Sequence, residues 1–87
     1  MKSNDVEHDI EEFLYAELKV DMDDPGFSRD VDLFDAGYVD SVGFAELLAF
    51  LEQRFALAVP EDDLLSEEFS TVHGIAAVVG RLLASPA

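Results

Sequence analysis

An aspartate followed by a serine, Asp40-Ser41, stands where an irregular stretch gives way to the most regular helical pattern in the chain. Taken alone, a serine there reads as a helix cap, its side-chain oxygen accepting from a free backbone N–H. The other residues with chemical potential are less well arranged. His8 and His73 fall inside helical patterns, with no nucleophile or carboxylate beside them at a recognised spacing, so catalysis by the chain itself is not expected. There is no cysteine, hence no disulfide framework and no thiolate metal ligand. A glycine-rich phosphate loop is also missing. Counting from Asp21, the acids Asp23 and Asp32 with Gly26 in sixth place match part of a calcium loop. Pro25 occupies a ligand position, however, and Arg29 puts a cation where an oxygen is wanted. In a chain with twenty carboxylates such partial matches arise by chance, and no metal site is assigned.

The elements around Asp40-Ser41 follow from hydrophobic spacing. Val6, Ile10, Phe13, Leu14 and Leu18 recur at helical intervals and predict an amphipathic helix over Asp5 to Val20, with Asn4 and Glu7 as a capping pair. The pattern breaks from Asp21 to Asp40, where Pro25-Gly26 and Asp35-Ala36-Gly37 are turn chemistry. Phe27, Val31, Leu33 and Phe34 are apolar enough to pin that stretch to a core, so an ordered loop is expected. Ser41 to Phe55 is the strongest helix. Its apolar face is Phe44, Leu47, Leu48, Leu51 and Phe55, its opposite face Val42, Glu46, Ala49 and Gln53, with Phe50 on the flank. Pro60 stops any helix before it. One short turn is expected in Glu61 to Ser66, and then a last helix capped by Ser70 or Thr71 with a stripe of Val72, Ile75, Val79, Leu82 and Leu83. Gly74 and Gly80 weaken that helix by about 1 kcal/mol each. The fold class is all-α: a small four-helix bundle of three longer helices plus one short helix, with a long loop between helices one and two.

Eighty-seven residues suffice for one domain and not for two. Twenty Asp and Glu against five Lys and Arg give a formal charge of −15, spread from Asp5 to Glu68. That field repels polyphosphate backbones and anionic bilayers, so neither nucleic acid nor membrane is an expected partner. It steers the protein toward basic patches on other proteins. The acidic first twenty residues lack the basic and apolar regions of a secretory signal, and no apolar run could span a bilayer, so a cytoplasmic location is expected.

The stretch Leu33-Phe34-Asp35-Ala36-Gly37-Tyr38-Val39-Asp40-Ser41-Val42 resembles the attachment region of acyl and peptidyl carrier proteins. The resemblance continues through Phe44-Ala45-Glu46-Leu47-Leu48, Phe55, Pro60, Phe69-Ser70-Thr71-Val72 and Ile75, so that nearly all of residues 1–87 reads as a single carrier domain. It implies that a phosphopantetheinyl transferase moves 4'-phosphopantetheine from coenzyme A onto Ser41, with Asp40 helping that enzyme recognise the site. The phosphodiester would then lie beside the positive end of the helix dipole. Two positions depart from the family's usual pattern: Val42 stands where leucine is more common, and Gly43, where a polar residue is more common, leaves room for a partner or the arm. Val42, Glu46, Ala49 and Gln53 are expected to form the face on which visiting enzymes dock. Asp40-Ser41-Val42-Gly43 and the sparse charge on that helix look most like discrete aminoacyl and D-alanyl carriers. An amino acid or short acyl cargo, loaded by an adenylating enzyme and passed to an acyltransferase or synthase by a monomeric carrier, is the expectation that follows. The alternative is an acidic helical interaction module with no prosthetic group.

Overall fold

The computed structural model describes residues 3–21 and 23–84, with side chains from Asp5 onward. Four α-helices follow in order, α1 Ser3–Leu18, α2 Ser41–Phe55, α3 Glu61–Leu64 and α4 Val72–Ala84, with a 3₁₀ turn, Glu67–Ser70, ahead of the last. No strand occurs among the described residues. The chain is the all-α bundle that the spacing predicts. The suggested Asn4 cap lies outside the described side chains, and α1 already starts at Ser3.

α1 and α4 form the most extensive helix pair. Val6, Ile10 and Leu14 of α1 are fully buried, facing Val72, Ile75, Ala76, Val78 and Val79 of α4 in one core. Each such aliphatic side chain contributes about 1.5–3 kcal/mol by leaving water. The buried stripe of α4 is wider than its sequence suggests, because Ala76 and Val78 join it. The stripe also outruns the core at the last turn, where Leu83 is exposed rather than packed. α2 contributes Leu47, Leu51 and Phe55 and packs less extensively on α1 and α4, which leaves one of its faces open.

The first helix ends at Leu18 rather than Val20. Lys19 turns into the left-handed region (φ 60), and Val20 N–H reaches back to the Leu14 carbonyl at 3.0 Å. The long connection that follows is ordered, as its hydrophobes predict, although the anchors differ in part. Leu33 and Val39 are buried, whereas Phe34 is exposed at one edge and rests against Phe44 with centroids 5.4 Å apart. Two backbone hydrogen bonds tie this connection to the start of α4: Leu33 N to Ser70 O and His73 N to Arg29 O, both 2.8 Å. Arg29 adds a bidentate pair with Glu11 (2.9 and 3.2 Å) and a contact at 3.4 Å with Glu7, whose residue is only 4% exposed. Sequence spacing reads Glu7 as a capping residue, whereas its carboxylate is an inward anchor for the loop.

Thr71, of the two caps anticipated, caps α4: its Oγ1 accepts from Gly74 N at 2.9 Å. The two glycines of α4 have opposite roles. A Cβ on Gly74 would sit 1.8 Å from the carbonyl oxygen of Glu68, so the 3₁₀ turn can lie this close only against glycine. A Cβ on Gly80 meets nothing within 4 Å. Gly80→Ala is therefore expected to gain about 1 kcal/mol from helix propensity alone, visible as a rise of roughly 4–8 °C in a thermal melt. A melt that shifts downward would show that the open space at Gly80 is needed.

Candidate functional site

The loop delivers the chain to α2 through a short run of backbone hydrogen bonds. Asp32 Oδ1 accepts from Phe34 N and Asp35 N at 2.9 and 3.0 Å, and Tyr38 N and Val39 N both donate to the Leu33 carbonyl at 3.0 Å. Gly37 takes φ 83, a conformation that costs glycine little and other residues more. Buried Leu33 and Val39 hold the two ends of this turn in the core. The residue after Val39 is thus fixed in position before the helix begins.

That residue, Asp40, is the cap. It is extended (φ −104, ψ −173), and its Oδ1 accepts from Gly43 N at 2.8 Å. Capping by serine, the reading of Asp-Ser taken alone, is thus displaced by one residue. Aspartate at this position satisfies an orphan N–H and also sets a negative charge at the positive end of the helix. Ser41 is the first helical residue and is exposed, with its hydroxyl outside the cap. Gly43 is buried, and a Cβ there would meet Leu18 Cδ1 and Asp40 Oδ1 at 3.3 Å. Its smallness first admits the protein's own α1 and cap, not a visitor.

Two acids of the partial calcium loop are engaged locally: Asp21 Oδ1 accepts from Asp23 N, and Asp32 Oδ1 from Phe34 N and Asp35 N. No cluster of three metal-ligating side chains occurs among the described residues. The Tyr38 phenol is raised above its ordinary pKa, first by desolvation and then by the charge and hydrogen bond of Asp24. The ring packs edge-on to Phe27 beside the turn, with centroids 5.5 Å apart.

Down α2, Val42 (68% exposed), Glu46, Ala49 and Gln53 share the open face, opposite buried Leu47, Leu51 and Phe55. Phe50 belongs to neither side. Its ring stacks on Phe13 of α1 at 4.6 Å and 23°, forming the floor of a 510 Å³ groove walled by Ala16, Ala49 and Glu46. Sequence spacing puts Phe13 in the core stripe, and its role in this groove comes from the α1–α2 packing. Leu65, 77% exposed at the end of α3, is a second apolar surface residue that spacing left unassigned. Its signal is the doublet Leu64-Leu65, of which only one member can face inward.

These features suit presentation of an attached group: an exposed hydroxyl at a capped helix start, next to an open face with one large apolar residue, Val42, and one acid, Glu46. The family model described as "Phosphopantetheine attachment site" matches residues 9–79, and the chain belongs to that family. It is 40% identical over 62 residues to the D-alanyl carrier protein of Streptococcus suis, covering 71% of this chain and 78% of the relative. It is 41% identical over 61 residues to that of Streptococcus uberis, covering 70% and 77%. No solved structure matches at a significant level. The protein is a non-catalytic carrier bearing 4'-phosphopantetheine, a group that supplies a terminal thiol able to hold a cargo as a thioester. Carriers of this kind work with a phosphopantetheinyl transferase and with loading and acyl-transfer enzymes. No helix among the described residues is long and apolar enough to cross a membrane.

Proposed function

We propose that residues 1–87 act as one carrier domain, that the arm is esterified to Ser41, and that the cargo is an aminoacyl group. One observation carries this reading: Ser41 is exposed at the first position of α2 while Asp40 performs the capping. In the attachment step the Ser41 oxygen attacks the pantetheine-bearing phosphorus of coenzyme A. The new O–P bond forms as the pyrophosphate P–O bond breaks. Adenosine 3',5'-bisphosphate leaves, and the hydroxyl proton passes to a base on the transferase. Once attached, the arm would supply a terminal thiol to which an aminoacyl group could pass from an aminoacyl adenylate as a thioester, with AMP as the leaving group and the thiol proton released to solvent. The choice of cargo rests on the likeness to D-alanyl carrier proteins. Asp40 guides the transferase through its charge, and Val42, Glu46, Ala49 and Gln53 receive the visiting enzymes. The carrier acts as a cytoplasmic monomer, passing cargo from an adenylating enzyme to an acyltransferase or synthase.

The test is incubation with coenzyme A and a phosphopantetheinyl transferase, followed by intact mass. The wild-type chain should gain one phosphopantetheinyl group and Ser41→Ala none. An unmodified wild-type chain, or a modified S41A chain, would reject the assignment, the former leaving an interaction module without an arm. Asp40 is resolved by a pair of variants. Asp40→Asn keeps a good cap and loses only the charge, whereas Asp40→Ala loses both and about 1 kcal/mol of stability. Slower modification of D40N, with a melting temperature lowered by no more than a few degrees for the lost dipole interaction, assigns the charge to recognition. Equal rates for D40N and wild type confine Asp40 to capping.

A further inference from the structure

Two grooves follow the seam between α1 and α2 and share Glu17 and Glu46. The one beside the site, 310 Å³, is lined by Tyr38, Asp40, Val42 and Gly43. The other is the 510 Å³ groove over stacked Phe13 and Phe50. Its far end is closed by Arg54, paired with Asp9 at 3.0 Å, and Glu12 on its rim pairs with His8 at 3.1 Å. Glu17 and Glu46, where the two grooves meet, make no ion pair among the described residues.

We infer that this seam is the resting place of the arm and its cargo, and that it favours a cargo with a free ammonium beside the thioester. The inference rests on attachment at Ser41. Reach supports it. Ala49 lies about 12 Å along the helix axis from Ser41 at 1.5 Å per residue. At 100° per residue the two are only about 80° apart around the helix. The arm spans roughly 18 Å extended, given bond lengths near 1.5 Å. Its sulfur therefore reaches the level of Ala49 and Phe50, and the cargo falls on the aromatic floor. Charge complementarity supports it too. An α-ammonium at that depth faces the carboxylates of Glu17 and Glu46, whereas a neutral acyl group gains only the apolar floor and a carboxylated one is repelled.

The experiment loads the chain with amide-linked alanyl-pantetheine or propionyl-pantetheine from the matching coenzyme A analogues, and compares each with the arm alone by NMR. Alanyl loading should shift the amides of Ala16, Glu17, Ala49 and Phe50. Those shifts should exceed the propionyl ones by about twofold, the change in occupancy that an exposed ion pair supports, and the excess should shrink in salt. Glu17→Gln, on α1 and outside the docking face of α2, should reduce the difference while leaving attachment intact by mass. Loaded chains that show no shifts along the seam, shifts centred on Phe34, Phe44 and Phe69, or equal responses to both cargoes would overturn the inference alone. A chain that takes no arm overturns the attachment reading and this inference together.

Discussion

Gly74→Ala is expected to lower the melting temperature by roughly 8–16 °C, the net of about 3 kcal/mol of overpacking strain and about 1 kcal/mol returned by helix propensity. The contact responsible involves backbone, which cannot swing aside as a flexible side chain would. The added Cβ would stand 1.8 Å from the Glu68 carbonyl oxygen and 2.8 Å from its carbon. To relieve this, the 3₁₀ turn must retreat from α4. The Arg81–Glu68 pair (2.7 Å), the Thr71 cap and buried Phe69 all depend on that approach. Alanine's better helix propensity returns only about 1 kcal/mol. Gly80→Ala, the same change six residues on in the same helix, provides the control of opposite sign. A Gly74→Ala melt within a few degrees of wild type would mean that the turn and α4 are not closely joined.

The second large effect is expected at Arg29. Its guanidinium, held above its ordinary pKa first by the hydrogen bond to Glu11, also faces the nearly buried Glu7. Arg29→Leu leaves that carboxylate without its main counter-charge and is expected to cost about 2–3 kcal/mol, somewhat below a fully buried pair because Arg29 itself is part-exposed. His73 Nδ1, 3.8 Å from Glu7, is too distant and too exposed to substitute. Adding Glu7→Gln should recover part of the loss, giving a coupling of about 1 kcal/mol or more by denaturant melts. Strict additivity of the two changes would remove the pair from the account of stability. The loop should also loosen in Arg29→Leu, with amide shifts extending from Asp30 toward Asp40.

How far these features were legible in the sequence follows from the distance over which each is determined. α1, α2 and α4 each carry a repeating apolar stripe, and periodicity located them to within a few residues. The 3₁₀ turn at Glu67–Ser70 is too short to show a period, so only the break before α4 was visible. Asp40 and Ser41 are both good caps, and local preference could not choose between neighbours; the burial of Val39 places Asp40 in the capping position. Glu7 looked like a terminal residue because its partner lies 22 positions away, across a turn-rich loop. Gly74 showed only its propensity cost, since the reason for glycine is a carbonyl from another element. The open face of α2 was readable from α2 alone, whereas the groove beside it required α1.

Because capping is delegated to Asp40, the oxygen of Ser41 is left out of the hydrogen bonds that hold the first turn together. A group can be esterified there and later removed without breaking any of them. Were the arm carried there, its attachment would leave the backbone geometry at the start of the helix as it is, and the same polypeptide could take the group without re-forming that turn.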